Sequence, residues 1–379
     1  MRNSVERLAV VLWLGAAGLA AQEAPLPGGS VNINLTRESP VTLVSMSSDQ
    51  SRATARGAAM VLDLHMSLVL RNTGASRIHG ITLRVVSQEV TLGGKGSVTY
   101  PSLNVGPGEV FPARIDMQLV RPTQVAAGPL VQVDLDGVLY QDLSFYGPDR
   151  LHSRRYLTAC ELEARRDREY FKGLLARTGK DGLRQAMLGS LARQAELAVL
   201  NVRVARGPAV ASAALPAEHT AQFALVQFPD APLELVAGSA MVGGNQVRTP
   251  RIEVRNTSGK AVKYAELGWV LTDQSGRQSA AASLPFSDPV SPGQTATVLQ
   301  DATLKLFSTS GGQPVNIQRM TGFVSHVEFA DGNVWVPAGK NLESPELRKA
   351  LPPSAEEQRL SDLYNRKGID ALIEELKRF

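Results

Sequence analysis

The strongest feature of this sequence is a pattern that occurs twice in the same order. The segment Val69–Ile78 recurs as Glu253–Val262, and both contain Arg-Asn-Thr, 184 positions apart. Each copy continues to a Pro-Gly turn before a strand, at Gly106–Glu109 and Ser291–Gln294. Each then reaches an Asp-Gly pair and an aromatic residue: Asp136-Gly137 with Tyr140, and Asp331-Gly332 with Trp335. Landmarks repeated in one order predict a duplicated domain.

The spacing of strands and turns predicts a mainly β protein with two antiparallel β-sandwiches. Short runs rich in Val, Leu, Ile and Thr are broken by Gly, Pro, Asn and Ser over residues 30–148 and again over 217–340. Between the two blocks the apolar period becomes helical, which predicts a helical segment at 149–206 with a break at Gly179–Gly182. The helical period returns at the end and predicts a C-terminal helical tail over 341–379. The duplicated unit is then either a sandwich followed by helix, glycine and helix, or a sandwich alone.

Within the first block, residues 60–70 are apolar at alternate positions, which predicts a long strand with one buried face. A turn at 72–76 leads into a second predicted strand, Ile78–Val90. In the second block, Trp269 lies in an apolar run and is predicted to fill the core.

The N-terminus has the pattern of a secretory signal peptide. Arg2 and Arg7 precede an apolar stretch that ends in small residues. This predicts a signal peptide over residues 1–21, cleaved after Ala20 or Ala21, and a periplasmic or extracellular protein. The alternative is a retained membrane anchor, but an apolar run of about 14 residues is shorter than the roughly 20 that a spanning helix needs.

Cysteine content and charge limit the protein further. Cys160 is the only cysteine, so an exported chain would have no internal disulfide and would depend on burial of its core. The thiol could be buried or could pair between chains. The formal net charge is +4, and the basic excess lies in residues 149–206, which carry 13 basic and 7 acidic residues. The predicted sandwiches are near neutral, so we expect no nucleic-acid partner.

The basic segment itself has two interpretations. Arg165, Arg166 and Arg168 could bind a polyanion or anionic lipid headgroups. Asp167 and Glu169 are interleaved with them, which is typical of a solvated helix face with internal ion pairs.

The repeated landmarks resemble the small Ig-like domains of bacterial envelope proteins, such as the FxLyD type. In those domains a strand ending in Asn-Thr or Asn-Ser precedes a turn, a long strand and later a Pro-Gly-Glu-like turn. Here Asn72-Thr73 and Asn256-Thr257 match the first mark, and Pro107–Glu109 and Pro292–Gln294 match the second. The resemblance covers the two predicted sandwiches and leaves out the helices. It implies an extracytoplasmic binding or spacer module and brings no catalytic residues.

The sequence shows no catalytic or metal-binding pattern. It has no Gly-x-Ser-x-Gly motif, and its five histidines occur singly, without the spacing of zinc ligands. Asp134 and Asp136 would share one face of a strand, where paired carboxylates can bind calcium or act as acid and base. The competing interpretation is that Asp136-Gly137 forms a hairpin turn, matched by Asp331-Gly332. We therefore predict no enzyme activity, no cofactor and no metal.

Two features are candidates for an interaction surface. Trp335 lies near a predicted strand end, where it could be exposed and contact a partner or stack on a sugar, or could instead cap or pack against the sandwich. The C-terminal helix carries an apolar stripe that must pack either on its own protein or in the groove of a partner. The stripe consists of Ile369, Leu372, Ile373, Leu376 and Phe379.

These features predict an exported, non-enzymatic binding or scaffold protein of the bacterial cell envelope that acts through protein–protein contacts. The expected partner is an envelope protein bound through the C-terminal helix. The alternative is a carbohydrate-binding accessory protein or a hydrolase acting on envelope polysaccharide, with Trp335, Tyr140 and the turn aspartates at its working surface.

Overall fold

The computed structural model describes residues 23–26, 29–123, 128–196, 198–206, 218–298, 302–308, 316–343 and 352–379. The predicted signal peptide, residues 1–21, lies outside the described residues. Within them the protein is mainly β, with several antiparallel sheets and two helices, as the sequence predicts.

The elements follow one another in three groups. The strands before the first helix are β1 (Glu23–Pro25), β2 (Val31–Asn34), β3 (Val41–Ser47), β4 (Arg52–Arg56), β5 (Ala59–Asn72), β6 (Ile78–Val86), β7 (Lys95–Tyr100), β8 (Val110–Pro122), β9 (Val131–Tyr140) and β10 (Phe145–Tyr146). Helix α1 spans Ser153–Glu196. The later elements are β11 (Ala198–Arg206), β12 (His219–Gln222), β13 (Ala224–Leu225), β14 (Leu233–Gly243), β15 (Gln246–Asn256), β16 (Val262–Asp273), β17 (Gln278–Phe286), β18 (Thr295–Val298), β19 (Ala302–Ser308), β20 (Ile317–Phe329), β21 (Val334–Trp335), a short 3-10 helix (Gly339–Glu343) and α2 (Ala355–Lys377).

The chain divides into two compact units. Unit 1 comprises Met1–Gly74, Leu83–Val98 and Gly108–Leu135, and unit 2 comprises Ala75–Thr82, Thr99–Pro107 and Asp136–Phe379. Strands β6, β7 and β9 contribute residues to both.

In unit 1, β5 is the central strand. It pairs antiparallel with β8 along most of its length, and with β3 and β4. Alternate side chains of β5 are at most 1% exposed, which confirms the long strand predicted at residues 60–70. The buried side chains are Leu62, Leu64, Met66, Leu68 and Leu70.

In unit 2, strands β11 to β21 form one eleven-stranded sheet. Strand β11 lies between β17, to which it is parallel, and β19, to which it is antiparallel. This corrects the expectation of helix throughout 149–206, because α1 ends at Glu196 and residues 198–206 are a strand. Three of those nine residues are valine, whose branched side chain favours strands.

The core of unit 2 includes Trp269, as the sequence predicts. Its side chain is 2% exposed, and its ring meets that of Phe223 edge-on at 5.1 Å. Gly322 leaves room for this indole, since a Cβ there would lie 2.9 Å from the Trp269 ring.

The predicted equivalence of Asn72 and Asn256 appears in their hydrogen bonds. The backbone N–H of Asn72 donates to the Glu109 carbonyl at 3.0 Å, and that of Asn256 donates to the Gln294 carbonyl at 2.9 Å. Each side-chain Oδ1 accepts from the backbone N–H two residues later at 3.0 Å. Both asparagines are completely buried. The first two landmarks of the repeat therefore share one hydrogen-bonding pattern.

The third predicted landmark is wrong in the first copy. Asp136-Gly137 lies inside β9 rather than at a turn. Gly137 is required there for packing, because a Cβ would lie 2.1 Å from the Phe145 ring.

The turn that matches Asp331-Gly332 is Asp142-Leu143, 189 positions earlier. Leu143 and Gly332 both have positive φ, 67° and 80°, and each aspartate accepts from the backbone N–H two residues later at 3.0 Å. The aromatic residue equivalent to Trp335 is then Tyr146, not Tyr140.

Each helix is broken once, at a glycine. Gly179 in α1 has φ 68° and ψ −166°, and Gly368 in α2 has φ 82° and ψ −178°. Neither pair of angles is helical. Each helix is thus a helix-glycine-helix unit, but in α1 the glycine is Gly179 and not Gly182, the residue that the predicted repeat matches to Gly368.

Candidate interaction site

The apolar stripe of α2 packs inside unit 2, on α1. Leu372 and Leu376 are 0% and 1% exposed, and Ile369 and Ile373 are partly buried against the same cluster. The other buried members of this helical core are Phe171, Leu183, Met187 and Leu360. Of the two environments predicted for the stripe, the structure shows packing on the stripe's own protein.

The helical core repeats the internal duplication. Its buried side chains form three pairs, each 189 positions apart: Phe171 and Leu360, Leu183 and Leu372, Met187 and Leu376. Both helices therefore supply the same three positions to one cluster. Within one chain, α1 and α2 therefore pack as two copies of the same unit do in a twofold dimer, where each copy contributes the same residues to the contact.

Beside the helical core lies a buried network of charged side chains. Glu161 Oε1 accepts from His79 Nδ1 at 2.8 Å, from Arg165 Nε at 2.8 Å and from Arg168 at 3.0 Å. Arg168 also donates to Glu356 at 3.3 Å. Burial raises the pKa of Glu161, but the His79 and arginine contacts outweigh burial and lower the pKa overall. The network joins α1, α2 and the segment 75–82 through the carboxylates of Glu161 and Glu356.

Phe379, a predicted interaction residue, is held by the same network. The Arg168 guanidinium stacks on its ring, 4.0 Å from the centroid. The His79 ring meets it edge-on at 6.1 Å. Stacking of a cation on an aromatic face is stabilising, more so when the cation is shielded from water.

Trp335, the other predicted interaction residue, is half-buried. Its indole N–H donates to Asp230 at 3.2 Å, and its ring lies 6.4 Å from that of Phe228. Asp230 also accepts from the Asn341 side chain at 2.8 Å. Trp335 thus anchors the segment that follows β21 to the residues before β14.

The thiol of Cys160 is partly buried in α1. Burial, followed by the charge of Glu163, raises its pKa to about 12. The thiol is therefore protonated at neutral pH and is a weak nucleophile.

The predicted carboxylate pair does not act together. Asp136 is 1% exposed and accepts from the backbone N–H groups of Arg150 at 2.9 Å and Leu151 at 3.2 Å, and from the Ser153 hydroxyl, so it fixes the residues that lead into α1. Asp134 instead accepts from the amide side chains of Asn34 and Gln132 and from the Arg84 guanidinium. Among the described residues, no group of three or more His, Cys, Asp or Glu could hold a metal ion.

Among the described residues, the most exposed large apolar side chains lie in a loop that begins earlier than the sequence predicts. The strand predicted at Ile78–Val90 ends at Val86, and Val90 and Leu92 beyond it are 88% and 98% exposed. The loop is internally bonded: Ser87 N–H donates to the Gly94 carbonyl at 2.8 Å, and Gly94 N–H donates to the Thr91 carbonyl at 2.9 Å. The two adjacent glycines, 93 and 94, were the available sequence signal.

A second exposed apolar feature recurs in both copies of the repeat. Val44 in β3 and Val236 in β14 each lie at a register shift and are 49% and 46% exposed. Leu43 and Met46 are also exposed on β3. Apolar side chains on a partly unpaired strand are typical of surfaces that contact another chain.

Comparison with known proteins identifies no family. No family model matches the sequence, and no curated protein matches it. A similar solved structure is pT26-6p, with 8% sequence identity over 88% of this chain and 73% of that chain and a TM-score of 0.18. Another is a β-glucosidase from Kluyveromyces marxianus, with 10% identity over 71% of this chain and 45% of that chain and a TM-score of 0.15. Both TM-scores are too low to indicate a shared fold.

In the part of the chain that the structure describes, neither helix combines the length and the apolar character needed to cross a bilayer.

Proposed function

We propose that this is an exported, non-enzymatic binding or scaffold protein of the bacterial cell envelope, acting through protein–protein contacts. In this proposal two Ig-like β-sandwiches are each followed by a helix-glycine-helix unit. The hydrogen bonds shared by Asn72 and Asn256 support the duplication. The signal-peptide pattern of residues 1–21 supports export.

The single observation that carries the proposed contact function is the loop of residues 87–94. Its backbone hydrogen bonds hold Val90 and Leu92 out in solvent. A large apolar side chain left exposed forgoes about 1.5–3 kcal/mol of burial, and an apolar groove on another protein would recover that free energy. Because the stripe of α2 is already covered by α1, this loop replaces the C-terminal helix as the proposed contact surface.

The contact function is tested with the double variant Val90→Ser/Leu92→Ser in the full chain. We expect an unchanged melting temperature, because neither side chain is buried, and loss of partner proteins crosslinked to the loop in the envelope of the host. Leu188→Ser is the matched control, since Leu188 is an exposed leucine, 45% accessible, on α1. Equal recovery of the crosslinked partners from both variants would contradict the proposal.

Export is tested separately by cell fractionation and intact-mass measurement. We expect the protein outside the cytoplasm, with a mass corresponding to a chain that starts near residue 21 or 22. Full-length protein in the cytoplasmic fraction would contradict export and leave the loop experiment unaffected.

A further inference from the structure

Unit 2 contains a cavity of about 330 Å³ with a predominantly basic lining. Parts of α1, the residues that follow α2, and the segments 75–82 and 99–107 surround it. Two of the lining residues are carboxylates, Glu161 and Glu169, and five are basic: Arg77, Arg165, Arg168, Lys172 and Arg378.

The carboxylates do not neutralise this lining. The charge of Glu161 is already shared by Arg165 and Arg168. Lys172 forms no ion pair with any residue that the structure describes. Among the described residues, the Arg77 guanidinium donates only to the neutral Asn104, to its side-chain oxygen at 2.8 Å and to its carbonyl at 3.4 Å. The cavity therefore has an excess of positive charge available to a ligand.

Two polar atoms at the wall of the cavity lack partners. His79 Nε2 and Glu161 Oε2 are buried and form no hydrogen bond with the described part of the chain. The His79 side chain is 5% exposed. A buried polar atom without a partner costs about 1–3 kcal/mol, so natural proteins keep few of them outside functional sites. A carboxylate oxygen can only accept a hydrogen bond, so the basic side chains of the lining, and not these two atoms, are the groups that can bind an anion.

We propose that this cavity binds a small oxyanion, a molecule carrying a phosphate group or several carboxylates. Guanidinium groups bind both kinds of group through paired hydrogen bonds. Asn104 and Gln141, which also line the cavity, can contact the uncharged part of the ligand. The volume of about 330 Å³ is large enough to admit a ligand of this kind. This site lies in unit 2 and goes beyond the contact function proposed for the loop of residues 87–94.

The test is isothermal titration calorimetry of the full chain, with inorganic phosphate and with citrate as the two probes. We expect saturable binding of at least one probe, with a Kd below about 1 mM at low salt, weakened about threefold or more in 0.2 M salt by screening. The probe that binds more tightly identifies which source of negative charge the cavity accepts.

Lys172→Gln is the main variant, because Lys172 is exposed and unpaired and its loss should not affect folding. We expect about three- to tenfold weaker binding. Arg77→Gln gives a second, independent reduction. Arg184→Gln is the matched control, since Arg184 lies on α1 away from the cavity and pairs with Asp181 at 3.1 Å. Absence of saturable binding of both probes to the unchanged protein, or equal weakening in Lys172→Gln and Arg184→Gln, would overturn the proposal.

Discussion

Gly179 and Gly368 occupy equivalent points of the two long helices, and each breaks its helix with a left-handed backbone. They are 189 positions apart, the same spacing as the three residue pairs of the helical core. The break lets residues on both sides of it, such as Phe171 and Leu183 in α1, reach one cluster. A straight helix over the same residues would direct these side chains differently, so the glycines are part of how α1 and α2 pack.

Gly179→Ala and Gly368→Ala should each lower the free energy of unfolding by about 1–3 kcal/mol. No atom lies within 4 Å of a Cβ built at either position, so the cost is backbone strain at φ and ψ values that are almost restricted to glycine. Gly189→Ala is the control, because Gly189 is helical and also has open space around it. Alanine there should be neutral or stabilise by up to about 1 kcal/mol. Urea denaturation measures all three, and similar values for the three variants would contradict the assignment of the kinks.

Asn256→Ala should destabilise the protein by about 2–4 kcal/mol. The side-chain Nδ2 donates to the carbonyls of Lys260 and Val290, both at 2.8 Å, and Oδ1 accepts from the N–H and the hydroxyl of Ser258, so alanine removes four hydrogen bonds at a buried position. Asn256→Asp should cost a similar amount, because a carboxylate cannot donate to a carbonyl. Asn333→Ala is the control in an exposed turn, where we expect less than about 1 kcal/mol. A small loss at Asn256, measured by chemical denaturation, would show that this buried landmark does not hold the turn.

Trp269→Ala and Trp335→Ala should differ clearly in cost. Trp269 is in the core, and its removal should leave a cavity worth about 3–5 kcal/mol. Trp335 is half-buried and is tied by one hydrogen bond to Asp230, so its removal should cost about 1–2 kcal/mol. Equal small losses on guanidinium denaturation would show that Trp269 is not a core residue.

Leu183→Ala and Leu372→Ala should each cost about 2–5 kcal/mol, because the two leucines fill equivalent positions of the helical core. Leu188→Ala, at an exposed position of α1, should change the stability by about 0.5 kcal/mol or less. Differential scanning calorimetry of the three variants measures this. An unaffected melting temperature in Leu372→Ala would mean that α2 does not depend on this contact.

Features that depend on local turn chemistry could be predicted from the sequence. Asn72, Asn256 and the glycine breaks were found because a buried Asn turn and a left-handed backbone each require particular residue types. The Asp-Gly pair at Asp136 wrongly predicts a turn, because a glycine can also serve to make room for a neighbouring side chain. Gly137 makes room for a ring inside a strand, whereas the real turn at Asp142-Leu143 uses an aspartate without a glycine.

Features that depend on distant segments could not be predicted. The charged network brings His79, Glu161 and Glu356 together from three parts of the chain, and no periodic pattern links them. The strand β11 was interpreted as helix because its place in the sheet, between β17 and β19, is decided by tertiary pairing. The predicted strand extends too far, to Val90, because the apolar residues of the exposed loop continue the pattern of the strand.

The stability of the protein should depend on pH through Glu163. This carboxyl lines a cavity in unit 2, where burial raises its pKa from 4.5 to about 7 against the opposing charge of Arg166. Between those two values the folded protein binds more protons than the unfolded chain. Its stability therefore falls as the pH rises through this interval and becomes level above pH 7.

Glu163→Gln removes this dependence. The shift corresponds to about 3 kcal/mol, and because Glu163 keeps part of its surface exposed, we expect the variant to be more stable than the unchanged protein by about 2 kcal/mol at pH 8. At pH 4, where both side chains are neutral, the two should be equally stable. Burial lowers the pKa of His326 in the same unit, which acts in the opposite direction, but this effect is common to both proteins and cancels in their difference. Urea denaturation of the unchanged protein and of Glu163→Gln at pH 4, 5, 6, 7 and 8 measures the difference in their free energies of unfolding. A constant difference across that range would show that Glu163 ionises normally.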